Sequence, residues 1–442
     1  MTSDMTKGSP LRLIAAFAVP MLVGNIFQQV YNFVDTYVVG RFVGDTALAA
    51  VGATSGLAGI LVSFVMGFTS GAGIIISQYI GALKYDGMKR TVTALGYIVL
   101  IMSLVITAVG LIFSKPLLSL LSTPDEIIDS SAGYIKVIFA FVLSSAVYNA
   151  TSAVLRSLGD SRTPLAALII SSFVNVALDL LFVAVFRWGI PGAAVATGIA
   201  QIVSAVFNII VMYTRRRELN LESISIKPDK MSALRIIKTG LPAALESCLL
   251  SLGGLSVQKL VNSFGSATIA AYTAATKIDS IAIAPVVSVG SAISVFTGQN
   301  MGAGKIDRIR KGLYQTMFSL IALCFVIAVL IVIFRRSLLG LFLSSEESIM
   351  IGSRYLVIVS VAYCVAAVMR SYLNLLRGAG DVNTSAIAGL SELGARIVFA
   401  YILVIPLGST GIWLATPIAW SFGALIPVIR YYSGKWLSKK LV

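Results

Sequence analysis

Asp179 is the one carboxylate in the apolar stretch SSFVNVALDLLFVAVF, residues 171–186, whose length approaches that of a membrane span. Asn175 stands four residues before it, so on a helix the amide and the carboxylate share a face. Such an amide can hydrogen-bond the acid or give its carbonyl oxygen to a cation. Asp35, in YNFVDTYVVGR, is a second acid among apolar residues. It precedes Arg41 by a little more than a turn and a half of helix, as Asp179 precedes Arg187 by a little more than two turns. With the rise of an α-helix, both carboxylates fall roughly 10 Å below the same membrane face. An ionisable group in lipid costs free energy and calls for a partner. Two acids meeting in a low dielectric cannot easily both stay charged, so the pair suits exchange of a proton or a sodium ion, the latter held by Asp35, Asn175 and Asp179. A packing role, with each acid bonded to a neighbour on its own helix, is the competing reading.

The elements that must position these residues are membrane spans. Of the 442 residues 57% are hydrophobic and 12% charged, a balance that fits a polytopic membrane protein and not the half-polar surface of a soluble globule. Apolar runs predict twelve helices at 11–39, 46–80, 91–113, 127–153, 164–186, 191–214, 234–263, 267–298, 312–334, 347–374, 384–405 and 411–432. A strand barrel would show shorter alternating segments. The first run is too long for a signal-peptide core and is expected to remain as an uncleaved span. The net charge of +15 does not indicate nucleic acid, because the Lys and Arg residues gather in alternate loops. The loops on the N-terminal side hold Lys84, Lys89, Arg90, Arg156, Arg162, the cluster from Arg215 to Lys238, Lys305, Arg308, Arg310, Lys311 and Arg377. The opposite loops hold only Arg41, Lys115, Arg187, Arg335 and Arg336, so both termini are expected on the cytoplasmic side of the cell membrane.

The chain also repeats itself. RSLGDSRTP at 156 aligns with RGAGDVNTS at 377, and SQYIGALKYDGMKR at 77 with GQNMGAGKIDRIRK at 298; both shifts are 377 − 156 = 298 − 77 = 221, as for Tyr134 and Tyr355. A constant shift over most of each half is the mark of duplication. Six helices per half is an even number, so the two repeats enter the membrane from one side and are parallel. The expected organisation is an all-α protein with an N-lobe over 1–214, a basic cytoplasmic linker over 215–233 and a C-lobe over 234–442.

The second half carries Glu246, Lys259, Lys277, Asp279, Glu392 and Arg396 within spans, three acids and three bases that can neutralise one another or bind substrate. Arg354, Arg370 and Lys136 lie near span ends, where long side chains snorkel outward. The repeat shift puts Arg396 at the place of Asn175 and Ala400 at that of Asp179, so ion coupling is expected in the first lobe. Pro20 falls inside the first span and Pro242 inside the seventh, where each removes a backbone hydrogen bond and permits a kink, either moving or static. The sequence has no histidine, which excludes Ser-His-Asp catalysis and histidine metal sites; an enzyme is not expected. The three cysteines lie in apolar segments and support no disulfide framework. GFTSGAG and GQNMGAG lack the Lys-Ser/Thr ending of a phosphate-binding loop, and direct use of ATP is not expected.

With these residues in order, the sequence resembles the multidrug and toxic compound extrusion (MATE) family over essentially its whole length. The resemblance rests on AVPMLVGNIFQQVYNFVDTYVVGRFVG, GDSRTP, NVALDLLFV, GIPGAAVAT, TGLPAALES, AAYTAATKID and TGQNMGAG. It implies a cofactor-free antiporter that exports organic, often cationic compounds against H+ or Na+, with two six-helix lobes, a central cleft and alternating access. Asp35, Asn175, Asp179 and Thr197 match the coupling positions of the branch with an acidic first-lobe site. Tyr31 and Gln28 match its pocket, and Pro20 its bending proline. Another branch uses acids of the seventh and tenth spans for sodium. Here Glu246 sits closer to Pro242 than that pattern wants, and the tenth span has no acid. A monomer in contact with membrane lipid is expected. The alternatives are a flippase of lipid-linked oligosaccharide or another amphipathic lipid, and a channel or passive membrane scaffold.

Overall fold

A computed structural model describes residues 3–120, 123–222 and 227–442; residues 223–226 of the expected linker lie outside the described residues. The described residues are helical, without strands: α1 (Pro10–Phe42), α2 (Asp45–Gly81), α3 (Tyr85–Leu120), α4 (Asp125–Ala140), α5 (Val142–Ser157), α6 (Arg162–Asp179), α7 (Gly189–Thr214), α8 (Lys230–Asn262), α9 (Ser266–Gly302), α10 (Ile306–Gly340), α11 (Glu346–Val361), α12 (Tyr363–Ala379), α13 (Val382–Leu407) and α14 (Ser409–Tyr432). Ten of these are long and apolar enough to cross a membrane, and the pairs α4–α5 and α11–α12, each bent by 46°, complete twelve spans.

The two bends fall at Phe141 and Ala362, positions related by the shift of the sequence repeat. Neither site has a proline. Both residues have ψ near zero, at 8° and −1°, where the regular hydrogen-bond ladder is interrupted. The Phe141 ring fills the notch left by Gly198 of α7, where a Cβ would lie 2.3 Å from it. Single spans were expected over 127–153 and 347–374, so the bends are a feature that hydropathy does not carry.

The chain packs as two units. Unit 1 comprises residues 1–3 and 23–244, and unit 2 residues 4–22 and 245–442. The changeovers fall shortly after Pro20 in α1 and shortly after Pro242 in α8. Division by packing therefore differs from division by spans: residues 4–22 pack with the second repeat and 234–244 with the first.

Close backbone approach fixes the start of α8 inside unit 1. A Cβ at Gly71 of α2 would lie 2.5 Å from the Gly240 Cα, and one at Gly67 would lie 2.6 Å from the Ala243 carbonyl oxygen. The two glycines lie one helical turn apart, a spacing that lets membrane helices touch through their backbones. GFTSGAG is thus a packing surface. Gly71→Ala should lower the unfolding midpoint in detergent, with overpacking costing roughly 1–3 kcal/mol. Gly96→Ala, at a position with nothing within 4 Å, should not lower it.

Candidate functional site

The repeated GD motif sets the start of α6. Gly159 takes φ +86°, a left-handed value that favours glycine, and turns the chain before Asp160. The buried Asp160 carboxylate accepts the Thr163 backbone N–H at 3.0 Å and the Thr163 hydroxyl at 2.7 Å, and pairs with Arg215 at 2.7 Å. Gly380 and Asp381 repeat the device in unit 2, where Asp381 accepts from the Thr384 hydroxyl at 2.8 Å and from Arg430 at 2.6 Å. At Asp160 the carboxylate thereby satisfies a donor that the first helical turn leaves free.

From that anchor α6 carries Asn175 and Asp179 inward, and neither is exposed to solvent. With its amide turned to pair donors with acceptors, Asn175 donates Nδ2 to Asp179 Oδ2 at 2.9 Å and accepts the Thr197 backbone N–H of α7 at 3.1 Å. The carboxyls of Asp35 and Asp179 come close enough to share a hydrogen bond. Each still buries an Oδ1 that has no hydrogen-bond partner among the described residues. Immediately after Asp179 the helix widens into a π-helical turn, Leu180–Val185, closed by the Phe186 N–H on the Leu181 carbonyl at 2.8 Å. Turns of this kind cluster at functional sites. Beside the acids, Val38, Val39, Ala47, Ala50, Val183, Ile190 and Ala193 form an apolar core that ties the end of α1 to α2, the π turn and α7.

Magnitudes show what the pair lacks. A hydrogen bond to a charged acceptor contributes roughly 1.5–3 kcal/mol, whereas a desolvated ion costs several kcal/mol. One amide does not offset a buried and a half-buried carboxylate in contact. An interaction of the missing kind is one that a shared proton or a small cation can supply.

Gln28, Tyr31 and Asp35 follow one another along one face of α1, where Gln28 is exposed and Tyr31 half-buried. Tyr31 is within reach of the Thr197 side chain and of both carboxylates. The structure therefore brings together Asp35, Asn175, Asp179, Thr197 and Tyr31. It adds Tyr134 of α4, which is near enough to feel both acids. The alignment of Tyr134 with Tyr355 was the available signal, since Tyr355 stands beside an acid of unit 2, Asp279. Pro20 lies earlier in α1, just before the changeover between the units.

In unit 2 the ion pairs include one that was expected and two that were not. Glu392 binds Arg396 at 2.7 Å, the i and i+4 pair foreseen, but also faces Arg370 at 3.8 Å. Glu246 pairs with Arg377 at 2.5 Å. Arg370 therefore turns inward and does not snorkel, and Arg377, taken for a loop residue, lies in the last turn of α12. Burial explains both, since Glu246 and Glu392 are 1–2% exposed and need a cation within reach. Lys259 and Lys277 are exposed. Asp279 accepts the Tyr363 hydroxyl at 2.6 Å. Lys136 and Arg354 are exposed, in keeping with snorkelling.

Comparison with known proteins agrees with the repeat. The MatE family model matches residues 20–181 and again 242–402, so the two matches start at the paired prolines of α1 and α8. The chain is 30% identical over 453 residues to the probable multidrug resistance protein YoeA of Bacillus subtilis, covering 100% of this chain and 97% of that protein. It is also 30% identical over 439 residues to the probable multidrug resistance protein YpnP of the same organism, covering 99% and 98%. Its fold superposes with a TM-score of 0.91, over 100% of both chains at 22% identity, on an outward-facing multidrug resistance MATE family transporter of the MOP superfamily. A family model matched once in each half, relatives aligned from end to end and twelve spans in two repeats establish that this chain belongs to the multidrug and toxic compound extrusion (MATE) family of membrane transporters.

Proposed function

We propose that the protein is a secondary antiporter of the cell membrane, with both termini cytoplasmic, that exports organic cations in exchange for H+ or Na+ by alternating access. The observation that supports this most is the contact between the Asp35 and Asp179 carboxyls, each with one buried oxygen lacking a partner among the described residues. Proton, sodium ion or cationic substrate can each answer the charge of this pair, and only one at a time. Entry of the coupling ion removes the attraction for the substrate, and entry of the substrate displaces the ion. Competition for one charge makes the exchange obligatory, with neither ATP nor a cofactor. The names of the relatives, multidrug resistance proteins, point the same way.

The orientation of Asn175 bears on the ion. An amide that donates to Asp179 suits a carboxyl sharing a proton, whereas sodium takes oxygen ligands and would need the amide turned about. The reading is tested by binding a fluorescent organic cation to the purified protein at several pH values and sodium concentrations. Acidification or sodium should weaken dye binding in the wild type, whereas Asp179→Asn should bind the dye only weakly under every condition. Binding that ignores both ions would remove the basis for exchange.

A further inference from the structure

On the side of the membrane where the chain begins, unit 2 contains a cavity of about 380 Å³, lined by Gly8, Ser9 and Pro10 at the start of α1 and by Asp307, Arg308, Lys311 and Gln315 along α10. We propose that it holds the headgroup of an anionic phospholipid. The size is that of a small-ligand site.

Three features converge on a phosphate. Lys311 is exposed and, among the described residues, forms no ion pair. Arg308 is held in place by the carbonyls it grips, donating to Gly8 at 2.6 Å and to Met5 at 3.3 Å, so its charge is fixed beside the cavity. Pro10 opens α1, and the first helical bond is that of the Leu13 N–H to the Ser9 carbonyl at 3.1 Å, which leaves the N–H groups of Leu11 and Arg12 ahead of the ladder. Asp307 would repel a bare anion, but it can accept hydrogen bonds from headgroup hydroxyls.

The source of the phosphate follows from what lies beyond Gln315. Along the same face of α10 come Phe318, Phe325 and Val329, exposed by 64%, 63% and 40% within an apolar span. Basic and polar groups at the boundary, continued by an exposed aromatic and aliphatic stripe, match a phospholipid lying along the helix with its headgroup in the cavity.

Native mass spectrometry of the full chain, titrated in parallel with phosphatidylglycerol and phosphatidylcholine, tests the proposal, with hydrogen exchange recorded over residues 8–13 and 306–316. The wild type should retain one phosphatidylglycerol roughly fivefold more tightly than phosphatidylcholine, with slower exchange in both segments. Lys311→Gln should erase that preference, and Gln315→Leu should weaken it while keeping the apolar stripe. Equal retention of the two lipids by the wild type would overturn the proposal, as would an unchanged preference in Lys311→Gln. A third titration, with inorganic phosphate, separates the sources: protection of residues 8–13 by phosphate alone would overturn the assignment to lipid.

Discussion

With Asp179 replaced by Asn, a cationic dye should accumulate in cells expressing the protein to the level seen without it, while the amount of membrane-inserted chain stays unchanged. The substitution keeps size and shape, and an amide oxygen at position 179 can still accept from Asn175, so the packing of α6 on α7 is kept. What disappears is the charge. The attraction between a carboxylate and a monovalent cation about 4 Å away is about 4 kcal/mol at an effective dielectric of 20, roughly a thousandfold in affinity. Loss of that order removes both the hold on the cation and the competition that couples the two fluxes. Dye exclusion at the wild-type level by this variant would mean that Asp179 serves packing alone.

The second large effect concerns stability. Arg377→Ala should destabilise unit 2 by about 3–5 kcal/mol, because it leaves a desolvated carboxylate without its cation. The partner it would strand is Glu246, 2% exposed, whose Oε2 already lacks a hydrogen bond among the described residues. The site is tight as well: a Cβ at Gly389 would lie 2.7 Å from the Glu246 side chain, so the carboxylate has little room to turn elsewhere. Thermal unfolding in detergent measures the effect. Replacing both partners by Met should recover much of the loss, since a buried ion pair exchanged for apolar groups is often neutral. An Arg377→Ala midpoint equal to that of the wild type would show that the pair contributes nothing.

Span number, repeat and site differ in how legible they are. Apolar runs are set by the thickness of the bilayer, so each of the twelve spans could be seen locally. The acids of the site were legible for the same reason inverted: Asp35 and Asp179 stand out because each is the one acid in its span. Asn175 followed from its spacing, and its bond to Asp179 is the i and i+4 contact foreseen. Pairs made across long sequence separations were not legible. Arg377 and Glu246 stand far apart in the chain, on α12 and α8, and the GAGD sequence after Arg377 suggests a loop, although that turn begins only at Gly380. The bends at Phe141 and Ala362 were hidden too: the first goes with the Phe141 ring packed on Gly198 of α7, the second shows only in backbone angles, and neither has a proline to announce it. The π turn after Asp179 is likewise a choice of hydrogen-bond partner that apolar LLFVAV does not betray.

The central claim is that one exchangeable charge, shared by Asp35 and Asp179, couples two opposed fluxes. Efflux of a fluorescent organic cation from proteoliposomes, driven by a proton gradient alone or a sodium gradient alone, addresses it directly when wild type is compared with Asp35→Asn. The account predicts that at least one gradient drives wild-type efflux and that neither drives efflux by the variant. Efflux by Asp35→Asn that responds to a gradient as the wild type does would contradict it.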